Sequence, residues 1–232
     1  MPSQAMLDAL ALLRDRQRAA ADAPPPTLAD LRAGFTPAGV VHPIPDDVRV
    51  REASAGVVAA WRWLRTDRRA DPRSMAVAGD SAGGGLAVAL MVAIRDAGDT
   101  EPAAGVLMSP TVDLTGSGRS MTERVDQDPI STPVLLARLA ADYLAGADAR
   151  TPLASPLFAP LDGLPPLLVQ VGTADLLLSD SERLAEAATA AGVEVRLEVG
   201  EGLPHVYPLM LGTPEAAEAT DRAGSFLRDR MP

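Results

Sequence analysis

The chain has 232 residues, 47% hydrophobic and 22% charged, which suits one medium-sized domain with ample sequence for a buried core. A formal charge of −10 argues against nucleic acid as a partner, because phosphate binding needs a basic face. The absence of Cys excludes disulfides, thiolate metal sites and cysteine nucleophiles, and the absence of Lys excludes a P-loop and Schiff-base chemistry. Only His42 and His205 are present, so no multi-histidine metal site is expected. With aromatics at 3%, the core must be built from Ala, Val and Leu. No run approaches the roughly 18 apolar residues of a membrane span, and the N-terminus lacks the basic n-region and cleavage site of a signal peptide. A soluble, cytoplasmic protein is the expectation.

In chain order, Met6, Leu10 and Leu13 predict an amphipathic helix ended by Pro24-Pro25-Pro26, and Thr27 can cap a short second helix through Leu28 and Leu31. Val48 and Val50 alternate with Arg49 and Arg51 as a short strand. Val57, Trp61 and Leu64 then mark a helix face, with Ser54 as its N-cap. A strand–helix rhythm follows: Ser74–Ala78 as a strand buried on both faces, Leu86–Asp96 as a buried helix, Ala103–Met108 as a strand, Pro133–Leu144 as a helix and Leu167–Val171 as a strand. Ser179-Asp180-Ser181-Glu182 fits a capping box, Val193–Val199 alternates as a strand with one wet face, and Thr213-Pro214 opens the last helix. Continuous apolar strands separated by helices indicate an α/β fold with a mainly parallel sheet covered on both faces.

The sharpest signal is Gly79-Asp80-Ser81-Ala82-Gly83, placed where a buried strand becomes a buried helix. That is the context of a nucleophile elbow, in which a strained turn exposes the Ser hydroxyl and the helix N-terminus favours developing negative charge. The alternative is a plain glycine-rich strand–helix turn that holds a phosphate; a Walker loop fails for lack of Lys, and a dinucleotide fingerprint fails because G-x-G-x-x-G is absent at the strand end. A serine needs a base. His205 follows the last strand, on the sheet edge where such loops gather, whereas His42 precedes the whole series in a Pro-flanked stretch and reads as structural. The carboxylate partner is Asp175, directly beyond the Leu167–Val171 strand and flanked by apolar residues. Asp180 reads instead as a charge at a helix N-terminus. The order Ser81, Asp175, His205 is that of α/β-hydrolases.

These stretches, with Ser109-Pro110-Thr111-Val112-Asp113 and Gly202-Leu203-Pro204-His205-Val206-Tyr207, resemble the hormone-sensitive-lipase-like carboxylesterases of the α/β-hydrolase fold, from Ser54 onward. The resemblance implies Ser81 as nucleophile, His205 as general base and then acid, and Asp175 as the residue orienting the imidazole. It further implies small short-acyl esters as substrates, no cofactor and no metal, with residues 1–45 as cap-like helices on a 46–232 catalytic core in a single domain. One local departure is Leu176, where the family usually has Pro.

The larger departure is an absence. The family's His-Gly-Gly-Gly oxyanion loop and the sheet strand before it have no counterpart here, as though on the order of 70 residues had been cut out near Gly56. The Ala82 N–H is then the one oxyanion donor left. Two readings follow: an impaired serine carboxylesterase, or a nearly inactive hydrolase-like module that only folds or assembles. The strand leading into the elbow would lack a neighbour, so a homodimer or larger assembly is expected.

Overall fold

A computed structural model of the chain describes residues 1–21 and 56–232. The helix capped by Thr27, His42, the Val48–Val50 strand and Ser54 lie outside these residues. The described elements run α1 (Gln4–Ala21), α2 (Val57–Thr66), β1 (Ala76–Asp80), α3 (Ala82–Asp96), β2 (Ala104–Met108), α4 (Ser120–Glu123), α5 (Pro133–Leu144), β3 (Leu167–Ala174), α6 (Leu178–Ala190), β4 (Val195–Pro204) and α7 (Pro214–Arg228). The four strands form one parallel sheet in the order β1-β2-β3-β4. Each crossover carries helical structure, as parallel pairing requires.

The core follows from the two-residue period of the strands. On one face Leu107, Leu167 and Val169 pack against Val88, Met91 and Val92 of α3 and against Leu184 and Ala188 of α6. On the other, Ala104, Val106 and Leu168 meet Phe226 of α7. A satellite cluster joins Met6 and Leu10 of α1 to Leu203, Tyr207 and Ala219. The stripe that predicts α1 is therefore the face it buries, and the N-terminal helix leans on the segment that carries His205.

Caps set several boundaries. Thr132 accepts from the Leu135 N–H with Pro133 in the first turn, and Thr213 accepts from the Ala216 N–H with Pro214 in the same place.

Other expectations are corrected. The N-cap of α2 is Gly56, whose carbonyl accepts from the Ala60 N–H and closes the first turn two residues later than a Ser54 cap would. Ser74 belongs to a single 3-10 turn, Pro72–Ser74, which delays β1 to Ala76. β1 is also not buried on both faces: Ala76, Ala78 and Asp80 are exposed, because the Phe226 cluster that covers that face of β2 and β3 does not extend to β1. Helix α3 starts at Ala82 rather than Leu86, so the glycines form its first turn.

The capping box at Ser179 does not form. Asp175 takes that work, accepting the Leu177 N–H at 2.8 Å and starting α6 at Leu178, which leaves Ser179 and Asp180 inside the helix. Nor is Gly200–Pro204 a loop. It continues β4, with a register irregularity opposite Gly172 and Ala174. A Cβ on Gly172 would stand 1.9 Å from the Leu203 carbonyl oxygen, so glycine there admits the close backbone approach.

Candidate active site

The parallel sheet brings the ends of β1, β3 and β4 to one edge, and each delivers one residue of the expected set. Ser81 follows β1 with φ +50° and ψ −120°, a conformation unusual for a residue with a side chain. Backbone bonds hold it there: its N–H donates to the Met108 carbonyl, and its own carbonyl accepts from Gly84, Gly85 and Thr111. A Cβ on Gly79 would meet the Gly83 carbonyl oxygen at 2.2 Å, so the turn back into α3 requires glycine at 79. Gly83 carries no such demand, since the nearest atom to a Cβ there is the Asp80 Oδ1 at 4.0 Å. The close neighbours of Gly84 and Gly85 are instead Pro110 and the Thr111 carbonyl, which let α3 lie against the segment after β2.

His205 is 4% exposed. Its Nε2 lies 2.9 Å from the Ser81 Oγ, and its Nδ1 faces both Asp175 oxygens, at 3.1 and 3.2 Å. Burial by itself would lower the His205 pKa. The hydrogen bond and charge of Asp175, with the charges of Asp128 and Asp80 behind them, outweigh burial and hold the imidazole above its ordinary value. Asp175 is fully buried directly after β3.

Two neighbours of the serine also have a positive φ. Ser109, after β2, has φ +47°, and Val206, after His205, has φ +49°. The Val206 N–H donates to the Ser109 Oγ at 3.0 Å, which ties the histidine segment to the segment beside Ser81.

Ser81 opens onto a cavity of about 700 Å³ lined largely by apolar side chains, including Leu114, Met121, Leu136, Leu144 and Leu153. Ala82, the first residue of α3, also lines it, and an N–H in that position has no acceptor within the helix. A group bound against Ser81 therefore meets a backbone donor and a largely apolar wall.

Sequence reasoning did not foresee the environments of the buried carboxylates Asp113, Asp128 and Asp180. Asp180 is not simply a charge at a helix end. Its Oδ2 accepts from the Val112 and Asp113 N–H groups at 3.0 and 3.1 Å, and burial pushes its pKa to about 7. Burial also raises Asp113, but hydrogen bonds from Ser117, Thr115 and Arg183 hold it below the ordinary carboxylate range. Asp128, in the segment before α5, accepts three backbone N–H groups, one of them from Leu176. A signal for it existed: Asp128-Pro129 followed by free N–H groups two and three residues on is the pattern of an Asx turn.

Among the described residues no three His, Cys, Asp or Glu side chains cluster so as to hold a metal ion. No helix among them is long and apolar enough to cross a membrane.

Comparison with known proteins identifies the family. A family model described as the alpha/beta hydrolase fold matches residues 47–209, and the chain belongs to that family. An acetyl-hydrolase of Streptomyces hygroscopicus is 45% identical over 175 residues, covering 74% of this chain and 57% of the relative. A putative acetyl-hydrolase, LipR, of Mycobacterium tuberculosis is 32% identical over 199 residues, covering 84% of this chain and 64% of the relative. Among solved structures, an esterase from the bacterial hormone-sensitive lipase family superposes with a TM-score of 0.73 at 46% identity, over 75% of this chain and 59% of that one. The chain thus spans about three-fifths of the length of the proteins it matches.

Proposed function

We propose that the chain is a serine carboxylesterase acting on small, short-acyl esters. The observation that carries this reading is the His205 Nε2 at 2.9 Å from the Ser81 Oγ with Asp175 against the other ring nitrogen. In this reading the Ser81 Oγ attacks the ester carbonyl while His205 takes its proton. His205 then returns the proton to the leaving alcohol, and water, activated by the same nitrogen, hydrolyses the acyl-enzyme. Asp175 holds the imidazole in the tautomer that leaves Nε2 free to accept. The Ala82 N–H stabilises the oxyanion, and no cofactor enters any step. Relatives named acetyl-hydrolases and esterases support a short acyl group, and the apolar cavity supports an uncharged one.

The chain carries no His-Gly-Gly-Gly stretch, and losing one oxyanion donor costs about 10²–10³ in rate, so turnover is expected to be slow. That observation favours the second reading, a nearly inactive module. One experiment separates the two: a fluorophosphonate probe is added to the wild type and to Ser81→Ala, and hydrolysis of p-nitrophenyl acetate is followed in both. Labelling of Ser81 with measurable turnover, both lost in Ser81→Ala, supports the esterase. Labelling without turnover supports the inactive module. Turnover that survives Ser81→Ala would overturn the nucleophile assignment.

A further inference from the structure

Asp128 is a costly residue for its place. It is 2% exposed, and it lies close enough to Asp175 for the charge of Asp175 to help burial raise its pKa. Its partners among the described residues are N–H groups: Ile130 at 2.8 Å and Ser131 at 2.9 Å on Oδ1, and Leu176 at 3.0 Å on Oδ2. The Leu176 N–H belongs to the peptide that follows Asp175, so its orientation fixes the direction in which the Asp175 side chain leaves the backbone. The Leu177 N–H donates to the Asp175 Oδ1 itself, at 2.8 Å. The Gln17 Nε2 of α1 donates to the Asp128 backbone carbonyl at 3.3 Å.

Holding a loop needs acceptors but not a charge, and a neutral acceptor would do so without burying a second carboxylate beside the first. A buried carboxylate next to another is tolerable where a positive charge forms close by. His205 supplies that place. Asp175 at the end of β3 contacts its ring, and the charges of Asp80 at the end of β1 and Asp128 in the segment before α5 act on it as well.

We propose that Asp128 is a positioning residue for the Asp175–His205 pair, holding the backbone that carries Asp175 and placing a second negative charge behind the imidazole. It touches neither substrate nor Ser81 and acts through its two neighbours. A clamp without the charge would order Asp175 but leave the titration of His205 unchanged. With the charge, imidazolium is favoured in the state where His205 holds the serine proton.

The test is a nuclear magnetic resonance titration of the His205 ring in the full chain, with the His42 signal identified by His42→Ala. Asp128→Asn lowers the His205 pKa. Asp128→Glu, which keeps the charge, leaves it above the Asn value, and the exposed Asp126→Asn leaves it unchanged. An unchanged His205 pKa in folded Asp128→Asn overturns the proposal. Where Asp128→Asn does not fold, the unmodified chain decides, because coupling between two titrating groups is reciprocal. The Asp128 carboxyl carbon then shows an inflection at the His205 pKa, and a flat trace through that range overturns the proposal. The kinetic arm rests on the esterase reading: Asp128→Asn lowers kcat about 10-fold with little change in KM, and moves the acid limb to lower pH. Turnover missing from every variant would count against the esterase reading alone, since the titrations need no catalysis.

Discussion

The strand that ends at Ser81 and the strand that ends at Asp175 are built differently. β1 has five residues, exposed and half-buried in alternation, whereas β3 has eight, all buried except Thr173. The serine is held by backbone: carbonyl and N–H bonds, and a glycine that only a missing Cβ allows. Asp175 follows a strand buried except at Thr173; the Asp128 carboxylate accepts from the peptide after it, and its own carboxylate accepts the Leu177 N–H at the start of α6. Ser81 thus sits on a spare, tightly bonded turn at the edge of the described sheet, and Asp175 sits in the middle of the core. The two halves of the site should fail in different ways.

The largest effect should come from the reacting groups. Ser81→Ala and His205→Ala each lower ester hydrolysis by about 10³-fold or more, because members of such a set act as a unit. Neither should shift thermal unfolding much, and a large loss of melting temperature in Ser81→Ala would mean that the elbow supports the fold as well as the chemistry. The pH dependence belongs with this pair. His205 must be neutral to accept the serine proton, and its pKa is raised, so activity climbs with pH through a midpoint above the ordinary histidine value. A rate flat between pH 5 and 8, with chemistry limiting, would contradict a histidine base.

The next test sets the two strands against each other in stability. Leu168 is fully buried in β3 against Phe226, and Leu168→Ala should cost about 2–5 kcal/mol in urea unfolding. Val77 of β1 is only partly buried, and Val77→Ala should cost about 1 kcal/mol. Equal costs would show that β1 is covered as completely as β3 in solution. The same contrast bears on assembly. With β1 last in the described sheet order, a dimer or larger species is expected across a dilution series in light scattering, and a monomer at micromolar concentration would show that the edge is closed within one chain.

The smallest effect concerns Asp180. Its pKa is about 7 in the folded chain, against 3.8 for the free group, so between those values the folded state binds more protons than the unfolded one. Its contribution is therefore fully present below the unfolded pKa and is lost as pH rises through about 7. Asp180→Asn keeps an oxygen for the Val112 and Asp113 N–H groups and removes the buried charge. The variant should match or exceed the wild type at pH 8 by about 1 kcal/mol and lose that advantage at pH 5. A variant less stable at both pH values would show that the amide cannot serve both donors.

The three residues that meet at the sheet edge were legible because each sits beside an element boundary that local pattern reveals: Gly79 before Ser81, an apolar run before Asp175, an alternating strand before His205. Cap signals were less dependable. Ser179 has the sequence of a cap, but Asp175 is two residues before Leu177 and reaches its N–H first. The glycines at 200 and 202 look like a loop, yet β4 runs on through them, because Gly172 on the neighbouring strand lets the backbones approach. Asp128 shows only half of itself in sequence. Its bonds to Ile130 and Ser131 follow from the local Asx pattern, while its bond to Leu176 joins residues 48 apart and exists only once the sheet edge has formed.

Ser81, Ser109 and Val206 each have a positive φ, and each carries a side chain. A left-handed residue of this kind costs about 1–2 kcal/mol, more for a branched one such as Val206. With Val206 bonded to Ser109, and Ser81 held by Met108, Gly84, Gly85 and Thr111, the neighbourhood of the serine is a small reservoir of conformational energy that the sheet and α3 keep loaded. Random drift toward a more heat-resistant protein would find its easiest gains at these dihedrals, and would find them by letting the serine relax. In the esterase reading, the edge that carries Ser81 is thus where stability and chemistry compete most directly, and the buried core of β3 away from Asp175 is where stability can be added without entering that contest.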